Sequence, residues 1–127
     1  MPYAPAIHIV GACDLMFVSG ATSSPLYHKH PHVDEEHVQP HAIEEQTERA
    51  MAAIKSILDH VGASWRDVVK ITKYLTDFRD ADAMHRTMGK YFGDWRPAST
   101  TVCINQLSSP GARVELDMIV ALPKKAT

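Results

Sequence analysis

The run from Arg113 to Leu122 (RVELDMIVAL) constrains what this chain can fold into more than any other segment. Successive side chains of a strand point to opposite faces, so Val114, Leu116, Met118, Val120 and Leu122 share one face while Ile119 and Ala121 lie on the other. A strand apolar on both faces for most of its length belongs inside a sheet that is covered on both sides. At 127 residues the chain has room for one domain and no more. The rest of the sequence supplies only two amphipathic helical segments, and each needs just one sheet face to bury its stripe. The second face must therefore find its partner elsewhere, and association of copies is the physical expectation.

The other elements follow from periodicity. IHIV (7–10) and LMFVS (15–19) are short apolar runs separated by Gly11, Ala12 and Asp14, a pattern that predicts a two-strand hairpin. From Ile43 the period changes: Ile43, Thr47, Ala50, Met51, Ile54, Ile57, Leu58 and Val61 recur at helical spacing, with acidic residues at the N-terminal end and Gly62 as the stop. Ser64 and Asp67 bracket a turn before VVKITKYLT (68–76), a β-branched alternating run. Asp77 or Asp80 caps a second helix with a stripe of Ala81, Met84, Met88, Tyr91 and Phe92, closed by Gly93. STTVCIN (99–105) and residues 113–122 are the last strands, joined through the SSPG turn at 108–111. The order β-β-α-β-α-β-β describes an α+β fold, one mixed sheet with two helices on a single face, as a single domain over 1–127.

Composition narrows the function. Thirteen Lys and Arg against 15 Asp and Glu leave a net charge of −2, which argues against a protein that binds nucleic acid by neutralising phosphates. No apolar run approaches the ~20 residues of a membrane span, and no secretory signal pattern opens the chain. Cys13 and Cys103 form no CxxC pair and read as reduced thiols, consistent with a cytoplasmic setting. The segment 21–42 is a long loop carrying Pro25, Pro31 and Pro40 and five of the eight histidines: His28, His30, His32, His37 and His41. Loops of this length are more often functional than filler. Its histidines could hold a metal or reach into a cleft as proton donors, or the loop could be solvated and without chemical task; no metal site is assigned.

FVSG (17–20), residues 44–77, YFGDWRPAS (91–99) and RVELDMIVAL (113–122) taken together resemble the Rid family of reactive-intermediate deaminases, also called YjgF. That resemblance implies a chorismate-mutase-like fold. It also implies a homotrimer whose sheets form a central barrel, with clefts between subunits where enamines or imines are hydrolysed to ketoacids and ammonia without a cofactor. Older names of the family refer to ribonuclease activity, which the charge balance here does not support.

Carried over by position, Glu115 matches the glutamate that handles the attacking water, and Ser19 and Gly20 match the strand end lining the cleft. The residue after Pro97-Ala98 is an arginine in typical members and grips the substrate carboxylate; here it is Ser99, and a hydroxyl cannot replace a bidentate guanidinium. Thr101 stands where a cysteine is expected, Ala6 lies near an expected tyrosine, and Cys103 shares the side of its strand with Ser99 and Thr101. These departures point to a substrate larger or less acidic than the usual imino acids, bound by Ser19, Gly20, Ser99, Thr101 and Cys103, with His28 and His30 as further candidates. Arg113, in alternation with Glu115 and Asp117, either replaces the lost anion anchor or, the favoured alternative, pairs with Glu115 or Asp117 or is solvated at the strand start. The competing function is a non-catalytic trimer that binds a small metabolite in the same clefts.

Overall fold

The computed structural model describes residues 3–25 and 39–124. Its elements are β1 (Cys13–Ala21), α1 (Ile43–His60), β2 (Val68–Leu75), α2 (Ala81–Phe92), β3 (Ala98–Cys103) and β4 (Val114–Pro123). They build a four-stranded sheet in the order β1-β4-β2-β3. β4 runs antiparallel to both neighbours, while β2 and β3 are parallel and connected through α2. The strand whose sequence is apolar on both faces is thus an interior strand, as the alternation requires.

Val114, Leu116, Met118 and Val120 of β4 and Val68, Ile71 and Leu75 of β2 are buried, and they meet Ala50, Met51, Ile54 and Leu58 of α1 and Met84 and Met88 of α2 in one core. The opposite sheet face is open within the single chain. There Leu15 is 52% exposed, Phe17 70% and Val102 36%.

Residues 6–10 form no strand, which corrects the expected hairpin. Ala4 instead pairs with Ala98 of β3 and donates from its backbone nitrogen to Pro97 at 3.0 Å. The N-terminal segment is tied to the edge of the sheet farthest from β1, so it cannot turn back as a hairpin with β1. The element order is therefore β-α-β-α-β-β. The proposed roles of His28, His30, His32 and His37 fall outside the described residues.

Gln46, in the first turns of α1, is 1% exposed and makes three contacts. Its amide donates to the carbonyls of Pro40 at 2.9 Å and Gly111 at 3.1 Å, and its oxygen accepts from the backbone of Arg113 at 2.8 Å. These bonds set the start of β4 against the entry to α1. Gln46→Leu takes the side-chain partner from three part-buried backbone groups and is expected to cost about 1–3 kcal/mol, read as a lowered urea midpoint at unchanged slope.

Candidate active site

The alternation of β4 places Glu115 on the open face, between core-facing Val114 and Leu116. Its neighbour across β4 and β2 is Tyr74, in direct register. Opposite it on the other side, the pairing of β1 with β4 slips between Val18 and Ala21, leaving Ser19 and Gly20 in a bulge. The Glu115 side chain fills the space over this bulge: a Cβ added to Gly20 would lie 2.7 Å from both Cδ and Oε2 of Glu115. Only a residue without a side chain admits the carboxylate here.

Glu115 lines a cavity of about 430 Å³ together with Ser19, Gly20, Thr22, Ser24 and Ser109. The rims of this cavity are cross-linked. Gln39 donates to Ser24 at 2.8 Å and accepts from Ser23, and Ser24 contacts Ser109 at 3.5 Å. The two ends of the histidine-rich segment are held together beside the Glu115 cavity. Burial raises the proton affinity of Glu115 above that of an ordinary carboxylate, and the charge of Asp117 two residues away adds to the effect. A carboxyl group tuned upward in this way can take a proton from water and return it within one reaction cycle.

The remaining candidates divide. Ser19 and Gly20 share the Glu115 cavity. Ser99, Thr101 and Cys103 do not: in register with Ile71, Lys73 and Leu75 of β2, they point to the helix side of the sheet. One intervening strand, β2, and the thickness of the sheet separate them from Glu115 within one chain. Arg113 is also elsewhere within one chain, and its ion pair is with neither Glu115 nor Asp117. Its Nε donates to Asp80 at 3.0 Å and its guanidinium to the carbonyl of His41 at 2.8 Å. Strand alternation failed as a guide because β4 starts only at Val114, so Arg113 is free to turn toward the start of α2.

Two residues went unnoticed in the sequence. Lys73 occupies the buried phase of β2, between Ile71 and Leu75, and is 3% exposed. His85 lies within the apolar stripe of α2, one residue after Met84 and three before Met88, and its Nε2 is buried without a hydrogen-bond partner. Both were legible as polar residues at core-facing positions of an otherwise regular pattern.

Gly20→Ala is expected to retain the fold and displace the Glu115 carboxylate. Because displacement of a reacting group by about 1 Å can cost ~10²-fold, a loss of that order in any activity depending on Glu115 is the expected result, with an unchanged far-ultraviolet spectrum.

Fold and site together define an α+β protein with a half-buried carboxylate, Glu115, set over a strand bulge on an open sheet face. The sequence profile described as Endoribonuclease L-PSP matches residues 1–122, and the chain belongs to that family, the one also known as Rid or YjgF. A RutC family protein of Pyrococcus abyssi is 45% identical over 65 residues, 51% of either chain, so this chain spans about half the length of that relative. The 3-aminoacrylate deaminase RutC of Acinetobacter baylyi is 32% identical over 115 residues, covering 91% of this chain and 85% of its own. A Thermotoga maritima protein crystallised under an endoribonuclease name superposes with a TM-score of 0.72 at 32% identity, covering 99% of this chain and 89% of the other. Among the described residues no helix is long and apolar enough to cross a membrane.

Proposed function

We propose that the protein is a hydrolytic deaminase of a reactive enamine or imine, releasing ammonia at clefts between the subunits of a homotrimer. The observation that carries this is the Glu115 carboxylate, seated on Gly20 in a cavity and raised in proton affinity by burial. An enamine first takes a proton on carbon and gives one up from nitrogen, becoming an imine, whose nitrogen is then protonated from solvent. Glu115 removes a proton from water as its oxygen bonds to the iminium carbon, forming a carbinolamine, and returns that proton to the amino group. The C–N bond then breaks as the hydroxyl proton passes to solvent, balancing the proton first taken up, and ammonia and a carbonyl product leave with Glu115 again a carboxylate. Imines hydrolyse unaided, so a positioned acid–base group contributing ~10²–10⁴-fold is sufficient and no cofactor is needed.

Two features support assembly. Leu15 and Phe17 of β1, Val102 of β3 and the half-buried Ile119 and Ala121 of β4 share the open sheet face, and a second copy would cover it. In addition, Ser99 and Thr101 can meet Glu115 only across a boundary between copies, because one chain holds them on opposite faces. Ser99, a hydroxyl where the family resemblance implies a guanidinium, favours a second reading: a trimer that binds a metabolite without turning it over.

The deciding assay generates 2-iminobutanoate or an aminomuconate-type enamine in situ and follows ammonia release with and without the protein. Acceleration beyond buffer is the expected result; none across a broad enamine panel removes the deaminase and leaves the binder.

A further inference from the structure

On the side of the sheet opposite Glu115, a second cavity of about 240 Å³ opens between α2 and the start of β3. Its walls are largely apolar, with Ile71, Met88, Phe92 and Trp95 among them. The amine of Lys73 lines it from the sheet and the imidazole of His85 from the helix, and Arg96 stands exposed at its margin. No carboxylate lines the cavity, and among the described residues Lys73 forms no ion pair.

An amine is a nucleophile only when neutral, and the surroundings of Lys73 favour that form. Apolar walls withhold the water an ammonium needs, and no anion takes its place. Desolvation, helped by the nearby charge of Lys70, brings Lys73 down to about 8. Desolvation and then the charge of Lys73 bring His85 down to about 4, so a neutral imidazole stands beside the amine. The His85 Nε2 is buried without a hydrogen-bond partner. Burial among apolar groups next to a second cation is the environment that makes a lysine reactive toward carbonyl carbon.

We infer that this cavity is a Schiff-base site in which the Lys73 amine reversibly captures a small uncharged aldehyde, its chain against Met88, Phe92 and Trp95. The nitrogen lone pair bonds to the aldehyde carbon, and a proton passes from nitrogen to the carbonyl oxygen, giving a carbinolamine. Loss of its hydroxyl together with the second amine proton, as water, leaves a neutral imine on Lys73. The His85 Nε2 is the polar atom within the same walls that meets the carbinolamine hydroxyl. Addition of water reverses each step. A neutral imine needs no counter-charge, so the cavity accommodates it more readily than the ammonium it replaces. The volume suits about eight water-sized groups, room for an aldehyde of about four carbons. Neither Glu115 nor its cavity takes part, so this activity goes beyond the deaminase and stands or falls separately.

Site-resolved mass spectrometry of the full chain treated with butanal and cyanoborohydride tests it, the reductant delivering hydride to each imine and fixing it as a secondary amine. At pH 7 a lysine at about 8 is about one-tenth neutral, against about 0.04% for an ordinary lysine. A less basic amine is also a weaker nucleophile, so the net expectation is that Lys73 is alkylated at least about 10-fold faster than the exposed Lys55. The groups facing Lys73 are Lys70 on its own strand, His85 and Asp82 on α2, and Arg96 after it. None of these supplies an anion inside the cavity, so the ratio of Lys73 to Lys55 alkylation should fall as pH rises from about 8 to 10 and exposed lysines lose their protons. Met88→Glu sets a carboxylate in the cavity wall, restores the ammonium and should erase the advantage. Alkylation of Lys73 no faster than that of Lys55, a ratio indifferent to pH, or a preference kept in full by the Met88→Glu variant would each overturn the inference. The wild-type comparisons decide the matter even if the variant fails to fold. A chain alkylated first at Lys73 that releases no ammonia from imines would uphold this site and refute the deaminase; ammonia release with an unreactive Lys73 would do the reverse.

Discussion

Replacing Glu115 by glutamine is expected to lower imine hydrolysis by about 10²–10⁴-fold while leaving the chain at least as stable as before. Glutamine keeps the size of the side chain, and so its place over Gly20, but cannot accept a proton from water. The sign of the stability effect follows from the proton affinity. The folded state raises the affinity of Glu115 above that of an ordinary glutamate, so the folded protein favours the protonated form. That preference leaves stability untouched at low pH, and a penalty develops as pH rises from the ordinary glutamate range through the raised value. At neutral pH the carboxylate is therefore a burden on the fold, and neutral glutamine relieves it. Activity has the opposite dependence: the base form is needed, so the rate should rise with pH through the same raised value. Rate measurements paired with thermal melts at pH 7 check both halves. A variant that keeps its rate refutes the assignment of Glu115, and one that loses rate together with stability points to a structural role instead.

Phe17→Asp should dissociate the proposed homotrimer and abolish the proposed activity with it. Phe17 is 70% exposed on β1, opposite Ile119 on the open sheet face. Burying a phenylalanine contributes about 1.5–3 kcal/mol, and each copy in a closed ring contributes one. An aspartate in the same seam adds the desolvation of a charge, so the shift toward single chains should exceed about 10²-fold in the association constant. Sedimentation at matched concentrations is the measurement. A wild-type chain that sediments as a single copy at assay concentrations overturns the homotrimer, and an active single-chain variant overturns the requirement that two copies complete the site.

Much of this architecture can be read from residue order because the relevant physics is local. The helical spacing from Ile43 onward, the alternation in VVKITKYL and the stop at Gly93 each act within one turn or one strand, and the elements appear where those patterns place them. Even the open face was implied by Ile119 and Ala121 alternating with Met118 and Val120. The segment at 7–10 shows where local pattern ceases to decide. Its residues suit a strand, but a strand needs an edge to pair with, and Ala4 commits this segment to the β3 side of the sheet.

The acid at the centre of the proposed chemistry was visible in the sequence as a carboxylate on a largely apolar strand; its seat on Gly20 was not. That contact depends on a slip in register between β1 and β4, which no single strand encodes. Arg113 bound to Asp80, and Lys73 and His85 facing one another without an anion, are likewise products of packing between elements far apart in the chain. Periodicity sets which face of an element a residue occupies; only the meeting of elements decides what that face encounters, because desolvation and pairing of charges depend on neighbours brought from elsewhere in the chain.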